Sequence, residues 1–211
     1  MRLYLATGNA HKIGEFSAIL TARGVQVEVM APSAAGGMPQ VDEDAGTFIG
    51  NARKKAAALA AQIRAGGGVA DAPWCAVGDD SGLCVDALDG APGVRSARFA
   101  GDGAGDAANT AKLLRLLEGV RADRRTAAFH CAIVAILADG RELSSEGRCP
   151  GRIIRAPAGG GGFGYDPVFV PEGHERTFAE LPADVKNAIS HRARALEVFA
   201  AMLSETMGGA R

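Results

Sequence analysis

Asp79 and Asp80 stand side by side in Val77-Gly78-Asp79-Asp80-Ser81-Gly82, directly after a short apolar run. The reading is of carboxylates placed where a strand runs out into a loop, hard oxygen donors suited to a divalent cation. Ionised together at about 4 Å and an effective dielectric of about 20, such a pair repels by roughly 4 kcal/mol, so a cationic partner should offset it. A magnesium-bound polyphosphate meets that need. An exposed Asp-Asp-Ser-Gly turn, built from ordinary turn formers, is the competing reading.

Other stretches carry complementary chemistry. Thr7-Gly8-Asn9-Ala10-His11-Lys12 falls between a predicted strand and a predicted helix. There a glycine admits a ligand close to the backbone, helix N–H groups point at an anion, and Lys12 adds a point charge for phosphate. The sequence is not a Walker loop, and a plain strand-to-helix turn with Asn9 as N-cap, Lys12 in solvent and His11 exposed is the alternative. Glu43, within Asp42-Glu43-Asp44, is a candidate second metal ligand, with Asp42 as the other choice, although acidic residues ahead of a helix also suit its dipole. Asn51 and Lys55 lie one helical turn apart, and with Lys54 they form either a phosphate-facing edge or an ordinary wet face. Gly161-Gly162-Phe163-Gly164-Tyr165-Asp166-Pro167 puts two aromatics and a carboxylate in a loop rich in glycine, a combination suited to a planar base. Lys186 and Ser190-His191-Arg192, near the start of the last helix, could meet a phosphate or the polar edge of a base.

These residues need elements to hold them. Residues 3–6 read as a buried strand, and Ile13, Phe16, Ile19 and Leu20 recur at helical spacing up to Gly24. A second strand is predicted over 25–30, then an alanine-rich helix from a Thr47 cap to about residue 65, stopped by Gly66-Gly67-Gly68. Strands at 75–77 and 83–88 flank the acidic loop, and a long loop covers 89–105. An amphipathic helix carrying Leu113, Leu114, Leu116 and Leu117 closes at Gly119. A hairpin pairs 126–137 with 142–147, a further strand covers 152–155, another ends at Val170, and one helix spans 184–206. Strands alternating with helices and then a hairpin-rich stretch predict an α/β fold with a mixed sheet, without a linker long enough to separate independent domains.

At 211 residues and 47% hydrophobic content, the chain can bury a sizeable core without staples. The 23 Lys and Arg against 24 Asp and Glu leave a formal net charge of -1 and no global field for gripping nucleic acid or an anionic membrane. Anion binding must therefore be local. Cys75, Cys84, Cys131 and Cys149 show neither Cys-x-x-Cys nor zinc spacing, and read as reduced core residues of a cytoplasmic protein. The start turns polar at Thr7, unlike a signal peptide, and the longest apolar stretch, 127–138, contains His130 and is too short to span a bilayer.

Taken together, Ala6-Thr7-Gly8-Asn9 with Lys12, Thr47-Phe48 with Asn51-Ala52, Asp79 through Leu83, Gly90-Ala91-Pro92-Gly93 with Ser96-Ala97-Arg98-Phe99, Gly161 through Pro167, and Ile189 through Arg192 resemble the inosine/xanthosine triphosphate pyrophosphatase (Ham1-like) family over nearly the entire chain. Two departures stand out: Gly50 where an acidic residue often precedes Asn51, and Gly160 where threonine is common. The resemblance implies an elongated mixed sheet flanked by helices, two lobes of a single domain around a substrate cleft, a homodimer, and one magnesium ion per subunit. It implies hydrolysis of ITP, dITP and XTP to the monophosphate and pyrophosphate, which keeps deaminated purines out of DNA and RNA. By the same resemblance Asp80 accepts the proton of the attacking water and ligates magnesium, and Glu43 is the second acidic ligand. Thr7, Gly8, Asn9, Ala10, His11 and Lys12 hold phosphates, Ser81 touches substrate, and Phe163, Gly164, Tyr165 and Asp166 with Lys186, His191 and Arg192 surround base and sugar. A Maf-like pyrophosphatase, whose first loop starts with serine and uses arginine, is the nearest rival. A nucleotide sensor without catalysis is the rival from another class, and a nucleic-acid module lacks a basic stripe.

Overall fold

Leu3 and Leu5 alternate with Tyr4 and Ala6 at the first strand, all four fully or nearly fully buried, so that strand is covered on both faces. The computed structural model describes residues 1–66 and 73–208. The strands are β1 (Arg2–Leu5), β2 (Glu28–Met30), β3 (Trp74–Val85), β4 (Thr126–Leu137), β5 (Glu142–Ile153) and β6 (Phe169–Pro171). The helices are α1 (Ala10–Ala22), α2 (Phe48–Ala65), α3 (Asp106–Leu116), α4 (Ala183–Ile189) and α5 (His191–Gly208). The strands form one sheet in the order β2-β1-β3-β4-β5-β6. β1 runs parallel to β2 and to β3, while β6 runs antiparallel to β5, so the sheet is mixed and the fold α/β, as predicted.

The chain divides into two compact units, and β3, β4 and β5 each contribute to both. The first comprises Met1–Asp80, Cys131–Gly147 and Arg192–Arg211. Its strands follow a strict two-residue period. Leu3, Leu5, Cys75, Val77, Cys131, Ile133 and Ala135 share one core with Phe16, Ile19 and Leu20 of α1 and Leu196, Phe199 and Leu203 of α5. The intervening residues Tyr4, Ala6, Trp74 and Ala76 pack on Leu59, Ala60 and Ile63 of α2, and Ala132 and Val134 pack on Ala52 and Ala56 of the same helix. One sheet face thus belongs to α1 and α5 and the other to α2. The second unit, Ser81–His130 and Arg148–His191, gathers Leu83 and Val85, Leu113 and Leu117, Phe129, Ile153, Tyr165, Phe169 and Phe178 into its own core. Among the described residues no helix is long and apolar enough to cross a membrane.

Several elements differ from expectation. The acidic pair does not lie in a loop: the two short strands expected around it are one strand, β3, with Asp79 and Asp80 inside it and the chain turning into a short 3-10 segment only at Asp86–Leu88. Turn propensity loses because each carboxylate finds cationic partners on its own side of the sheet and needs no water. Likewise 142–147 and the segment expected at 152–155 merge into β5, because Gly151 lets β6 approach: a Cβ there would strike the carbonyl of Val170 and the ring of Phe169. The second strand shrinks to Glu28–Met30, since the Val25 N–H closes the end of α1 on the Leu20 carbonyl at 3.1 Å. The final helix is two, split at Ser190, whose backbone is extended (φ -65°, ψ 162°). A serine there suits a helix restart. The Thr47 cap holds, its hydroxyl accepting from Gly50 N, and α2 ends at Gly66, while Gly67 and Gly68 lie outside the described residues.

Candidate functional site

In the first unit the acidic pair is organised by the strand's alternation. Asp79 is in phase with Val77 and projects to the face of α1 and α5, where its side chain is fully buried. It accepts from Lys12 Nζ, from Arg192 Nε and Nη2 at 3.3 Å each, and from the Cys131 thiol at 3.1 Å. Arg192 also donates through Nη1 to Glu15 of α1. Burial pushes the Asp79 carboxyl up, but Arg192 and Lys12 outweigh it and hold the group well below its ordinary value. Burial likewise opposes the charge on Arg192, which Asp79 and Glu15 keep firmly protonated. Lys12 and Arg192 here balance Asp79 and Glu15.

Asp80, one residue on, projects to the face of α2. Its Oδ2 accepts from Asn51 Nδ2 at 3.1 Å and its Oδ1 from Lys55 Nζ at 3.2 Å, and Lys55 also donates to Glu43 Oε2 at 2.9 Å. Asn51 is fixed in this role because its Oδ1 accepts from the Ala45 backbone N–H at 3.0 Å, which turns the amide nitrogen toward Asp80 and ties the 43–45 segment to α2. Burial pushes the Asp80 carboxyl up, against the pull of Lys55. Burial lowers the basicity of Lys55, yet Asp80 and Glu43 more than compensate and hold its ammonium charged. These three groups sum to one negative charge. Among the described residues no cluster of three or more His, Cys, Asp or Glu is preformed for a metal. Two convergent carboxylates nevertheless fit a magnesium-like ion, which takes one or two protein carboxylates and completes its shell with water and phosphate oxygens.

The phosphate-loop candidates precede α1. Asn9 caps the helix, accepting from His11 N at 2.9 Å and Lys12 N at 3.4 Å, and Thr7 Oγ1 accepts from Asn9 N at 3.1 Å. Gly8, Ala10 and His11 are exposed, whereas Lys12 is engaged with Asp79 rather than standing in solvent.

In the second unit, Asp166 Oδ2 accepts from Phe163 N at 2.9 Å and from Lys186 Nζ at 2.6 Å, and that ammonium lies 4.7 Å from the Phe163 ring centroid. Gly162 sits at φ +72°, and a Cβ there would strike the Asp166 carboxylate. Gly164 N donates to Asp106 Oδ2 of α3 at 2.6 Å. The two aromatics part company: Phe163 is half-buried, while Tyr165 is a core residue whose hydroxyl donates to the Ser96 carbonyl at 2.8 Å. His191 is buried and stacks on Phe129, centroids 4.8 Å apart at 12°. Ser81 is half-buried in β3, directly after Asp80.

The structure therefore joins Lys12 and Arg192 through Asp79 on one face of β3, joins Glu43 and Asp80 through Lys55 on the other, and groups Phe163, Asp166 and Lys186 in the second unit. It adds Asp79 as the fully buried counterpart of Asp80, Glu15 as a partner of Arg192, and Asn51 and Lys55 as the partners of Asp80. The spacing of 51 and 55 flagged one face of α2, and Lys54, paired with Asp44 in solvent, marks the wet one.

The model of the Ham1 family matches residues 3–202. The chain belongs to the Ham1 family. A relative named dITP/XTP pyrophosphatase from Opitutus terrae is 52% identical over 199 residues, spanning 92% of this chain and 95% of that protein. One of the same name from Streptomyces coelicolor is 46% identical over 98% of this chain and 99% of its own length. Among solved structures, a HAM1 protein from Coxiella burnetii superposes with TM-score 0.82 at 38% identity, covering 97% of this chain and 99% of that one. Within this Ham1-family chain the Gly50 departure has a local fit, since a Cβ there would lie 2.8 Å from the Ala45 methyl, while Gly160 has open space around it.

Proposed function

We infer that this chain is a nucleoside triphosphate pyrophosphatase that hydrolyses the deaminated purine nucleotides ITP, dITP and XTP to the nucleoside monophosphate and pyrophosphate. The observation that carries the reading is the pairing of near full-length membership of the Ham1 family with a net negative group of Glu43, Asp80 and Lys55, the last two buried. Glu43 and Asp80 are the residues that would hold one magnesium ion. Once bound, it supplies positive charge against phosphate oxygens and makes water more acidic. Asp80, its carboxyl raised by burial, takes the proton of the water that attacks the α-phosphorus. The backbone N–H groups of Gly8 and Ala10, together with Lys12 once it exchanges Asp79 for phosphate, stabilise charge that spreads onto the departing pyrophosphate.

Base and sugar fall to Ser81, to Phe163 through Asp166, and to Lys186, His191 and Arg192. A half-buried Phe163 offers a stacking face, and Lys186 and His191 offer donors for the 6-oxo group that separates inosine and xanthosine from adenosine. A donor built for that oxygen is left unsatisfied by an amine, a kind of mismatch that separates analogues by roughly 10⁴ to 10⁵. Arg192 joins this set only by exchanging a carboxylate partner for the base. We assign the protein to the cytoplasm, whose reducing conditions suit four free cysteines, and expect a homodimer from the family resemblance alone.

A panel of ITP, dITP, XTP, dATP, dGTP and dTTP with magnesium, scored for monophosphate and pyrophosphate, tests the assignment. Pyrophosphate from the first three in large excess over the rest is expected. Release of orthophosphate, or no preference for the deaminated bases, would overturn it, and binding without turnover would favour a nucleotide sensor.

A further inference from the structure

Lys55 is almost fully buried on α2, and its ammonium stands between the two carboxylates assigned to the metal, 2.9 Å from Glu43 Oε2 and 3.2 Å from Asp80 Oδ1. An ammonium so placed covers one oxygen of each carboxylate and puts a full positive charge at the position from which both would ligate an ion. We propose that Lys55 is the resident counterion of Glu43 and Asp80, competing with the divalent cation for them and yielding them when the nucleotide's phosphates offer its ammonium another anion. The inference rests on the assignment of Glu43 and Asp80 as metal ligands, and it makes loading ordered: the free enzyme holds metal weakly, and metal and triphosphate arrive together.

Three features support an exchange over a fixed structural bridge. Glu43 lies outside any helix or strand and its side chain is about one-third exposed (35%), so one arm of the bridge is open to solvent and able to move. Asp80 keeps a second, independent anchor in Asn51, so its carboxylate stays oriented when Lys55 leaves. Lys55 has a long side chain able to swing its charge while its stem stays packed against the helix. The neighbouring cation, Lys12, is held on the other face of β3 by Asp79 and is not part of the bridge.

The test is metal binding by nucleotide-free protein, read by manganese electron paramagnetic resonance and by calorimetry with magnesium. Wild-type protein should bind only in the millimolar range. Lys55→Met and Lys55→Gln, which remove the competing charge, should bind at least tenfold more tightly, with metal alone raising their melting temperature. Lys55→Arg, which keeps a cation there, should stay within threefold of wild type. Micromolar affinity in the nucleotide-free wild type refutes the proposal without need of any variant, as does unchanged or weaker affinity in both neutral variants. Because no substrate is present, these outcomes are separate from the pyrophosphatase assignment: dITP hydrolysis with tight metal binding by the free enzyme sinks the exchange alone.

Discussion

Gly78→Ala is the most discriminating perturbation of the scaffold beneath Asp80. Gly78 projects toward α2, and a Cβ at that position would collide with the Ala52 carbonyl oxygen, with the Ala52 carbonyl carbon and the Ala56 nitrogen each at 2.9 Å. All three atoms are backbone, so no rotamer change relieves the clash and α2 must move away from β3. In an ordinary strand the same substitution would stabilise by about 0.5–1 kcal/mol, so the sign alone is diagnostic. Overpacking of a rigid core costs about 1–3 kcal/mol, and the upper end applies where only a helix shift gives relief. At about 2–4 °C per kcal/mol for a chain of this length, the melting temperature should fall by about 6–12 °C. Asn51 and Lys55 immediately precede Ala52 and Ala56, so the shift that relieves the clash also lengthens their 3.1 Å and 3.2 Å contacts to Asp80. A displacement of about 1 Å at catalytic groups costs up to about 10²-fold in rate. Scanning calorimetry together with pyrophosphate release from dITP well below both melting points reads the two effects. A melting temperature within 2 °C of wild type with full turnover would show that α2 does not press on β3 as described.

Asp80→Asn should abolish turnover while leaving the melting profile near that of wild type; retained turnover removes Asp80 from the base role. Lys12→Ala should raise the KM for dITP, and an unaltered KM counts against its phosphate contact. Asp79→Asn tests the acid limb of stability. A carboxyl held well below 3.8 in the folded protein leaves the unfolded chain binding more protons as pH falls past that value. Its contribution is therefore complete at neutral pH and lost on descending from the ordinary value through the depressed one. Urea titrations between pH 3 and 7 should show a flatter pH slope in the variant, and identical slopes would mean Asp79 is not held ionised by its neighbours. Gly162→Ala should displace the Asp166 carboxylate from Phe163 N and Lys186, lowering the melting temperature through the left-handed φ and the broken buried pair and raising the KM for dITP in the protein that remains folded; an unchanged KM detaches that loop from the base.

Much of the fold was legible because the period-two burial of β1, β3 and β4 and the apolar face of α2 are written in side-chain type. The Thr47 and Asn9 caps were legible for the same reason, since a side-chain oxygen ahead of a helix has one local use. The continuity of β3 was not, because Gly78-Asp79-Asp80-Ser81-Gly82 has the composition of a turn and becomes strand only through partners 25 to 113 residues away along the chain. For the site, residue types at Lys12, Glu43, Asp80 and Asp166 pointed to charge chemistry. Which carboxylate would meet which cation was invisible, since the pairing of Lys55 with Glu43 and of Arg192 with Glu15 is set by tertiary approach. Tyr165 shows the converse: its place beside Phe163 suggested a second stacking ring, yet the loop's turn sends it into the core.

The repulsion expected between adjacent aspartates assumes that both occupy one side of the chain, as in a loop. Inside a strand, consecutive side chains leave on opposite faces, so adjacency in sequence becomes separation across the sheet. The two identical residues then acquire opposite electrostatics from their surroundings alone. Asp79 receives a guanidinium, an ammonium and a thiol, and its carboxyl is driven down. Asp80 shares one ammonium with a second carboxylate, and its carboxyl is driven up. Paired acids pushed apart in this way suit divided labour, which matches the proposal that Asp79 stays a fixed anion while Asp80 exchanges cation and proton. Moving the pair by one register would swap the roles, placing the working carboxylate against Arg192 and the structural one against α2. Strand register, pinned by Gly78 beneath α2, therefore decides which aspartate meets Arg192 and which meets Lys55, and with it which one the proposed chemistry can use.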